Sequence, residues 1–392
     1  MARNATSETV RVVIGGGGTG GHTVPALAAL EVLRRLAPVE ILWIGSRTGV
    51  ERRMVTRAGL SFRWIPTGKL RREPTLRTLV DLAAVPVGTL VAAGLVRAFR
   101  PHVVFGTGGY VSVPVVLAGW LNRVPIVIHE QTATVGLATR IAARFADAVA
   151  ISFESTRAYL PRHPRVVHTG LPIREQLLHG DAERARARFG LDPSIPLLYV
   201  TGGVLGAHAL NRLVAEALPE LVQVVQVIHQ CGPQRINGDL PRLLARRAAL
   251  PAALRHRYSV VEFLDEDLAD VLAAADLVLG RAGASTVAEL AALGKPAVLV
   301  PLPGARGNEQ LLNARQLAAT GSAVVVEQHD LTPAGLVAIV RDLVVDRNEL
   351  GRRGALARAL AVPDAAERLA RLILSVARAP LAEPAPPVLP AR

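Results

Sequence analysis

The stretch Gly280–Ala314, GRAGASTVAELAALGKPAVLVPLPGARGNEQLLNA, reads as a short loop, a helix opening near Ala284–Ser285, the β-branched strand Ala297–Pro301 and a second loop ending in Asn308-Glu309-Gln310. Small residues ahead of a helix leave several backbone N–H groups free at a terminus that carries partial positive charge. Gly283, Ala284, Ser285 and Thr286 are therefore a seat for a diphosphate. Glu289 follows Ser285 by four residues, about one turn further along the same face, where an exposed carboxylate accepts the hydroxyls of a ribose. Gln310 comes after the next strand, at the carboxyl edge of the sheet where α/β proteins hold ligands. Diphosphate, ribose and one more polar contact in line outline a nucleotide sugar. Ala-Gly-Ala also serves tight helix–strand packing, and a helical Glu is usually only solvated, so the rest of the chain has to decide.

Working outward, the same rhythm recurs. Leu197–Thr201 leads into GGVLGAHALNRLVAEAL, Val225–His229 into QCGP, and Ser259–Val261 into EFLDEDLADVLAAA; in the first half Val10–Gly15 leads into GGGGTGGHTVPALAALEVLRRLA. Strands Val103–Phe105 and Ile126–His129 are followed by TGGYVSVPVVLAGWL and EQTATVGLATRIAARFA. Such alternation predicts parallel sheets covered by helices on both faces. The fold class is α/β, with two tandem doubly wound Rossmann-like domains over residues 1–170 and 171–363. A helix at 364–378 is expected to pack back on the first domain, and the Pro-rich 379–392 is expected to be disordered. A ligand held at both carboxyl edges is expected in the cleft between the domains.

Gly15, Gly17 and Gly20 satisfy the dinucleotide pattern G-x-G-x-x-G, but the next strand, Glu40–Gly45, ends in Gly45-Ser46 without an acid for a ribose, which disfavours NAD. The surplus glycines, with Thr19 and His22 among them, shape the loop for a different close-lying ligand. Gly108-Gly109-Tyr110 forms another turn after a strand.

Composition sets bounds on this reading. The chain has 392 residues, half of them apolar and 4% aromatic, as suits two Ala/Val/Leu-rich α/β domains. The single cysteine, Cys231, excludes an internal disulfide and reads as a small buried hydrophobe. MARNATSETV has no apolar core and does not read as a secretory signal. Residues 1–174 hold 22 Arg and Lys against 9 Asp and Glu, while the remainder balances at 23 and 23, so the whole excess of positive charge lies in the first half. Such a face suits nucleic acid or an anionic membrane surface. The apolar run Leu82–Val96, interrupted by Pro86, is short of the ~20 residues needed to cross a bilayer and reads as a buried or an interfacial helix. Neither Lys69 nor Lys295 precedes Ser or Thr, so no P-loop is present. Asp265-Glu266-Asp267 reads as an N-cap with neighbouring acids and not as a metal site.

The motifs GGTGGHTVPAL, GTGGYVS, HEQ, GLPIR, GGVLGA, HQCG, FLDEDLADVLAAADLVLGRAGASTVAEL and the NEQ–NA loop resemble, in order and spacing over roughly residues 10–375, the MurG family of bacterial peptidoglycan glycosyltransferases. The resemblance implies the GT-B fold, with the acceptor on the N-terminal domain and the UDP-sugar on the C-terminal one. The implied reaction is inverting transfer of N-acetylglucosamine from UDP-GlcNAc to undecaprenyl-linked lipid I, giving lipid II. Carried over position by position, Thr19, Gly20, Gly21 and His22 match the first diphosphate loop, with His22 the candidate base. Gly108, Gly109 and Tyr110 match an acceptor loop, and Arg174 a phosphate-proximal arginine. Phe263 and Leu264 match the backbone that reads uracil, Glu289 the ribose-binding acid and Gln310 a sugar-hydroxyl contact; Thr132 and Val204 fall at further donor positions. The family's usual Asn, Ser-Gln and Asn are replaced here by Thr132, by Val204-Leu205 and by Leu171. The implied partners are the two substrates, the anionic inner leaflet of the cytoplasmic membrane, where the enzyme would be peripheral, and proteins of cell-wall synthesis and division. No cofactor, metal or nucleic acid is implied. A transferase acting on another sugar lipid, a non-hydrolysing UDP-GlcNAc epimerase and a catalytically lapsed membrane-docked partner remain as alternatives.

Overall fold

The computed structural model describes residues 9–18, 20–68, 76–162 and 165–378, with backbone alone at 76–83 and at Arg306. Thr19, Arg71, Arg72 and the tail 379–392 lie outside the described residues, as does the side chain of Arg77. The chain forms two compact units, Met1–Pro172 with Asp364–Arg392, and Ile173–Pro363.

In the first unit the order is β1 (Val10–Gly16), α1 (Gly20–Leu36), β2 (Val39–Gly45), α2 (Val50–Arg57), β3 (Ser61–Trp64), α3 (Leu76–Phe99), β4 (Val103–Gly108), α4 (Ser112–Leu121), β5 (Ile126–Glu130), α5 (Leu137–Ala142), β6 (Ala148–Ile151) and β7 (Val166–His168). The strands pair in parallel in the order β3-β2-β1-β4-β5-β6-β7. Alternation along β1 sends Val12 and Ile14 to one face, where Leu30 and Leu33 of α1 pack, and Val13 to the other, against Val115 and Val116 of α4. With both faces covered, the strand reads as an apolar run from Val12 to Ile14, after Arg11 near its start.

The second unit runs α6 (Ala182–Phe189), β8 (Leu197–Thr201), α7 (His208–Val224), β9 (Gln226–Gln230), α8 (Gln234–Asn237), α9 (Leu240–Ala248), β10 (Tyr258–Val261), α10 (Leu268–Ala274), β11 (Leu277–Gly280), α11 (Ala284–Leu293), β12 (Ala297–Leu299), α12 (Glu309–Ala318), β13 (Ala323–Val325), α13 (Pro333–Val344) and α14 (Arg347–Arg358). Its parallel sheet has the order β10-β9-β8-β11-β12-β13. The chain then returns to the first unit as α15 (Ala365–Ala377), which lays Leu369, Ile373 and Leu374 into the same core as α1. Each such side chain taken out of water contributes roughly 1.5–3 kcal/mol before chain ordering is counted.

One local expectation is sharpened and another changes. The apolar run lies within α3, which buries Ala92 and Val96 but exposes Val87, Val91 and Leu90, the last to 70%, so the helix is two-sided although both sides are apolar. Asp267 stands at the start of α10 with helical backbone angles and caps nothing; its carboxylate pairs with Arg188 Nε at 2.9 Å. Among the described residues no helix is long and apolar enough to cross a membrane.

Candidate active site

In each sheet the strand order reverses once next to the first strand of the unit, between β1 and β4 and between β8 and β11. Loops at the carboxyl ends of such strands diverge and leave a crevice. Most of the predicted residues that the structure describes lie at or near these two places, with Phe263 and Leu264 after the edge strand β10.

At the β1/β4 switch point, the Gly loop after β1 runs into α1, which begins with Gly20, Gly21 and His22. His22 Nδ1 lies 2.8 Å from Gln131 Oε1, just beyond β5. The loop after β4 closes on the ring. Gly108 and Gly109 have φ of +88° and +75°, and a Cβ at either would stand 3.0–3.2 Å from imidazole atoms. Glycine is required there both by the backbone conformation and by the approach of the ring. Tyr110 reaches the other side of the loop, against Gly18. Thr132 sits beside this cluster, but its hydroxyl is already 2.9 Å from Glu130 Oε1 and 2.7 Å from Thr134 O. Its single O–H is therefore committed within its own turn, which leaves the oxygen only accepting capacity.

Glu51, in the first turn of α2, was not singled out from sequence. It is fully buried and accepts hydrogen bonds from Gly18 N–H at 2.9 Å and from Ser46 N–H at 2.8 Å. A buried carboxylate needs such donors, and here they pin the Gly loop from behind. The Ser46 that gave no acid for a ribose thus holds an acid for the loop.

At the β8/β11 switch point, α11 starts at Ala284 behind Gly283. No side chain caps it and no acid stands in its first turn, so the N–H groups of Ala284, Ser285 and Thr286 have no partner within the helix. Arg174 Nη2 lies 3.8 Å from Glu289 Oε1, while Arg174 Nε is buried without a partner among the described residues. Glu289 departs from the exposed group expected from sequence: its side chain is 17% exposed. Burial pushes its carboxyl up to about 7, partly offset by Arg174. Gln310, the second residue of α12, accepts from Leu302 N–H at 3.0 Å, which leaves its amide N–H groups to donate.

Gln230, at the end of β9, ties the neighbouring loops together. Its Oε1 accepts from Leu264 N–H at 2.9 Å and its Nε2 donates to Gly203 O at 3.2 Å. The Leu264 N–H is therefore committed within the protein, and Phe263, the more exposed of the pair, carries the remaining free surface of that turn. Val204 and Leu205 are 60% and 55% exposed, so replacing polar groups here leaves no buried donor or acceptor unpaired. Leu171 is buried. A signal for Gln131 and Gln230 was present in the sequence: each is an amide at the carboxyl end of a strand, directly after His-Glu in one case and after His in the other.

Two Rossmann-like units, one with an uncapped helix start beside an arginine and a carboxylate and the other with a histidine on glycine loops, define a glycosyltransferase of the GT-B class. Residues 12–151 match the glycosyltransferase family 28 N-terminal domain and residues 197–369 the family 28 C-terminal domain. The chain belongs to glycosyltransferase family 28. It is 44% identical over 378 residues, 94% of this chain and 98% of the other, to the UDP-N-acetylglucosamine–N-acetylmuramyl-(pentapeptide) pyrophosphoryl-undecaprenol N-acetylglucosamine transferase of a Nocardioides species. To the protein of that name from Treponema pallidum it is 40% identical over 345 residues, 87% and 89% of the two chains. The crystal structure of Acinetobacter baumannii MurG superposes with a TM-score of 0.73 at 30% identity, covering 94% of this chain and 99% of that one. A UDP-GlcNAc 2-epimerase from Neisseria meningitidis has a TM-score of 0.64 at 10% identity, covering 94% and 100%, a likeness of fold alone.

Proposed function

We propose that this enzyme transfers N-acetylglucosamine from UDP-GlcNAc to the muramoyl-pentapeptide diphospholipid lipid I, with inversion, and so supplies cell-wall growth. The reading is carried by the start of α11, where free N–H groups, Arg174 and Glu289 combine an anion seat with a carboxylate able to accept ribose hydroxyls. Its agreement with the names of the family 28 relatives supports the choice of donor and acceptor. An acceptor hydroxyl attacks the anomeric carbon and gives its proton to His22 as the bond to UDP breaks. The charge growing on the leaving diphosphate is met by the α11 N-terminus and Arg174. Turnover that survives EDTA would accord with protein groups doing this without a metal.

UDP release from UDP-GlcNAc should be strong only when lipid I or a short-chain analogue is present. Release independent of any lipid acceptor, or conversion of the free sugar nucleotide to its epimer, would overturn the assignment.

An acceptor anchored in the cytoplasmic leaflet requires docking on that surface. Support comes from Val87, Leu90 and Val91 on α3, and from Trp120 and Leu121 on α4, the helix packed against it; all five are exposed. Arg97 and Arg100 are exposed at the end of α3. Apolar side chains flanked by arginines suit an anionic interface, at about 1 kcal/mol for each basic residue. Binding to anionic vesicles should weaken with salt and with Leu90→Asp or Arg97→Glu, UDP affinity being retained. Binding indifferent to lipid charge would remove the docking model.

A further inference from the structure

His22 is held through one side chain, and the chemistry of that partner decides which ring nitrogen is free. Gln131 is only 2% exposed, and its Nε2 donates to Thr107 O at 2.7 Å. A backbone carbonyl can only accept, so the amide has a single orientation, with Oε1 turned toward His22 Nδ1 at 2.8 Å. An amide oxygen likewise can only accept. Nδ1 must then carry the proton, and the lone pair of the neutral ring is left on Nε2.

We infer that Gln131 is a positioning residue that sets the tautomer of His22 and aims Nε2 as the proton acceptor. Three separated pieces of sequence meet for this purpose. The α1 start brings the imidazole, the β4–α4 loop lays Gly108 and Gly109 against the ring, and the end of β5 supplies the amide. The charged and ring groups nearby are turned elsewhere, while Thr107 Oγ1 and His129 Nδ1 are buried without a partner among the described residues. Glu51 holds Gly18 and Ser46, Glu130 is turned to Thr132, and His129 is bonded to Ser152 and lowered by burial to about 4, hence neutral. Because the partner is an amide and not a carboxylate, orientation is obtained without placing a second negative charge beside an acceptor that brings its own diphosphate.

The inference rests on His22 being the base, and the tests separate the two ideas. In full-length protein, ¹⁵N NMR of the His22 ring should show the Nδ1–H form in the wild type and a mixture of neutral forms in Gln131→Met. Turnover in Gln131→Met should fall about 10- to 100-fold, the order expected when a catalytic histidine loses its orienting partner, while KM for UDP-GlcNAc stays within a few fold. A wild-type ring protonated on Nε2, or wild-type kcat in a folded Gln131→Met, would overturn the positioning role; the wild-type spectrum decides even if the variant does not fold. A His22→Ala enzyme that lost only a few fold would remove the base, a different failure.

Discussion

At the β1/β4 switch point an imidazole lies on glycine backbone and is held by an uncharged amide, whereas at the β8/β11 switch point an arginine faces a half-buried carboxylate beside an open helix start. The backbone frames are alike, each a parallel sheet that reverses its order next to the unit's first strand. The side chains differ in the charge they present. The first site has the means to move a proton and fix an orientation, and the second to bind charge and release it. The comparison teaches that the frame supplies a crevice, and that the few residues on the strand ends choose its chemistry.

The largest expected effect breaks the first half of the comparison. His22→Ala should lower kcat by ~10²–10⁴, with donor affinity in calorimetry little changed. Equal losses in turnover and donor affinity would place the histidine with the nucleotide instead.

Glu289 tests the second half. Glu289→Ala should weaken UDP binding by about 10- to 100-fold, the cost of removing the partner of two hydroxyls, without unfolding the protein. The pH dependence follows from its raised carboxyl of about 7. The ionised form offers both oxygens as charge-assisted acceptors to the ribose hydroxyls, so wild-type affinity should rise from about pH 6 to about pH 8, and Glu289→Gln should flatten that rise. Stability moves the other way. The folded state holds this proton more tightly than the unfolded chain, so the unliganded protein should lose on the order of 1–3 kcal/mol as pH rises from about 4.5 to about 7 and stay level above. Denaturant melts of Glu289→Gln that keep the wild-type slope would show that the carboxyl is not the source.

Smaller effects sharpen the contrast. Gln310→Ala should reduce the preference for UDP-GlcNAc over UDP by several fold, since only the amide N–H groups are left for a sugar hydroxyl; matched losses for both ligands would assign Gln310 to the Leu302 turn alone. Val204→Ser should change donor affinity by a few fold at most and stability by less than about 0.5 kcal/mol, because residue 204 is exposed. A larger change in stability would mean that the apolar side chain is covered in solution.

The class of fold and the uncapped start of α11 were legible because both depend on local pattern. Apolar runs such as those of β1 and β11 between glycine turns specify buried parallel strands. The order Gly-Ala-Ser-Thr from Gly283 specifies a helix start that no side chain caps, and the structure opens α11 there. The place of Glu289 one turn after Ser285 on α11 was legible but its burial was not, and helical spacing says nothing of Arg174, which arrives from a distant segment. Thr132 shows the reverse: the sequence offers a hydroxyl, and the structure turns its O–H to Glu130 and the Thr134 carbonyl.

The sequence by itself determined two alternating α/β units, the glycine turns at their strand ends and the residue types available for anion, ribose and proton. Only the tertiary structure decided which of those groups have spare hydrogen-bonding capacity. Glu51 behind Gly18, Gln131 between Thr107 and His22, and Gln230 between Gly203 and Leu264 join residues 24 to 109 positions apart. Local periodicity carries no information at that range, because whether a buried polar group is free or bonded depends on which strand ends the sheet has brought side by side.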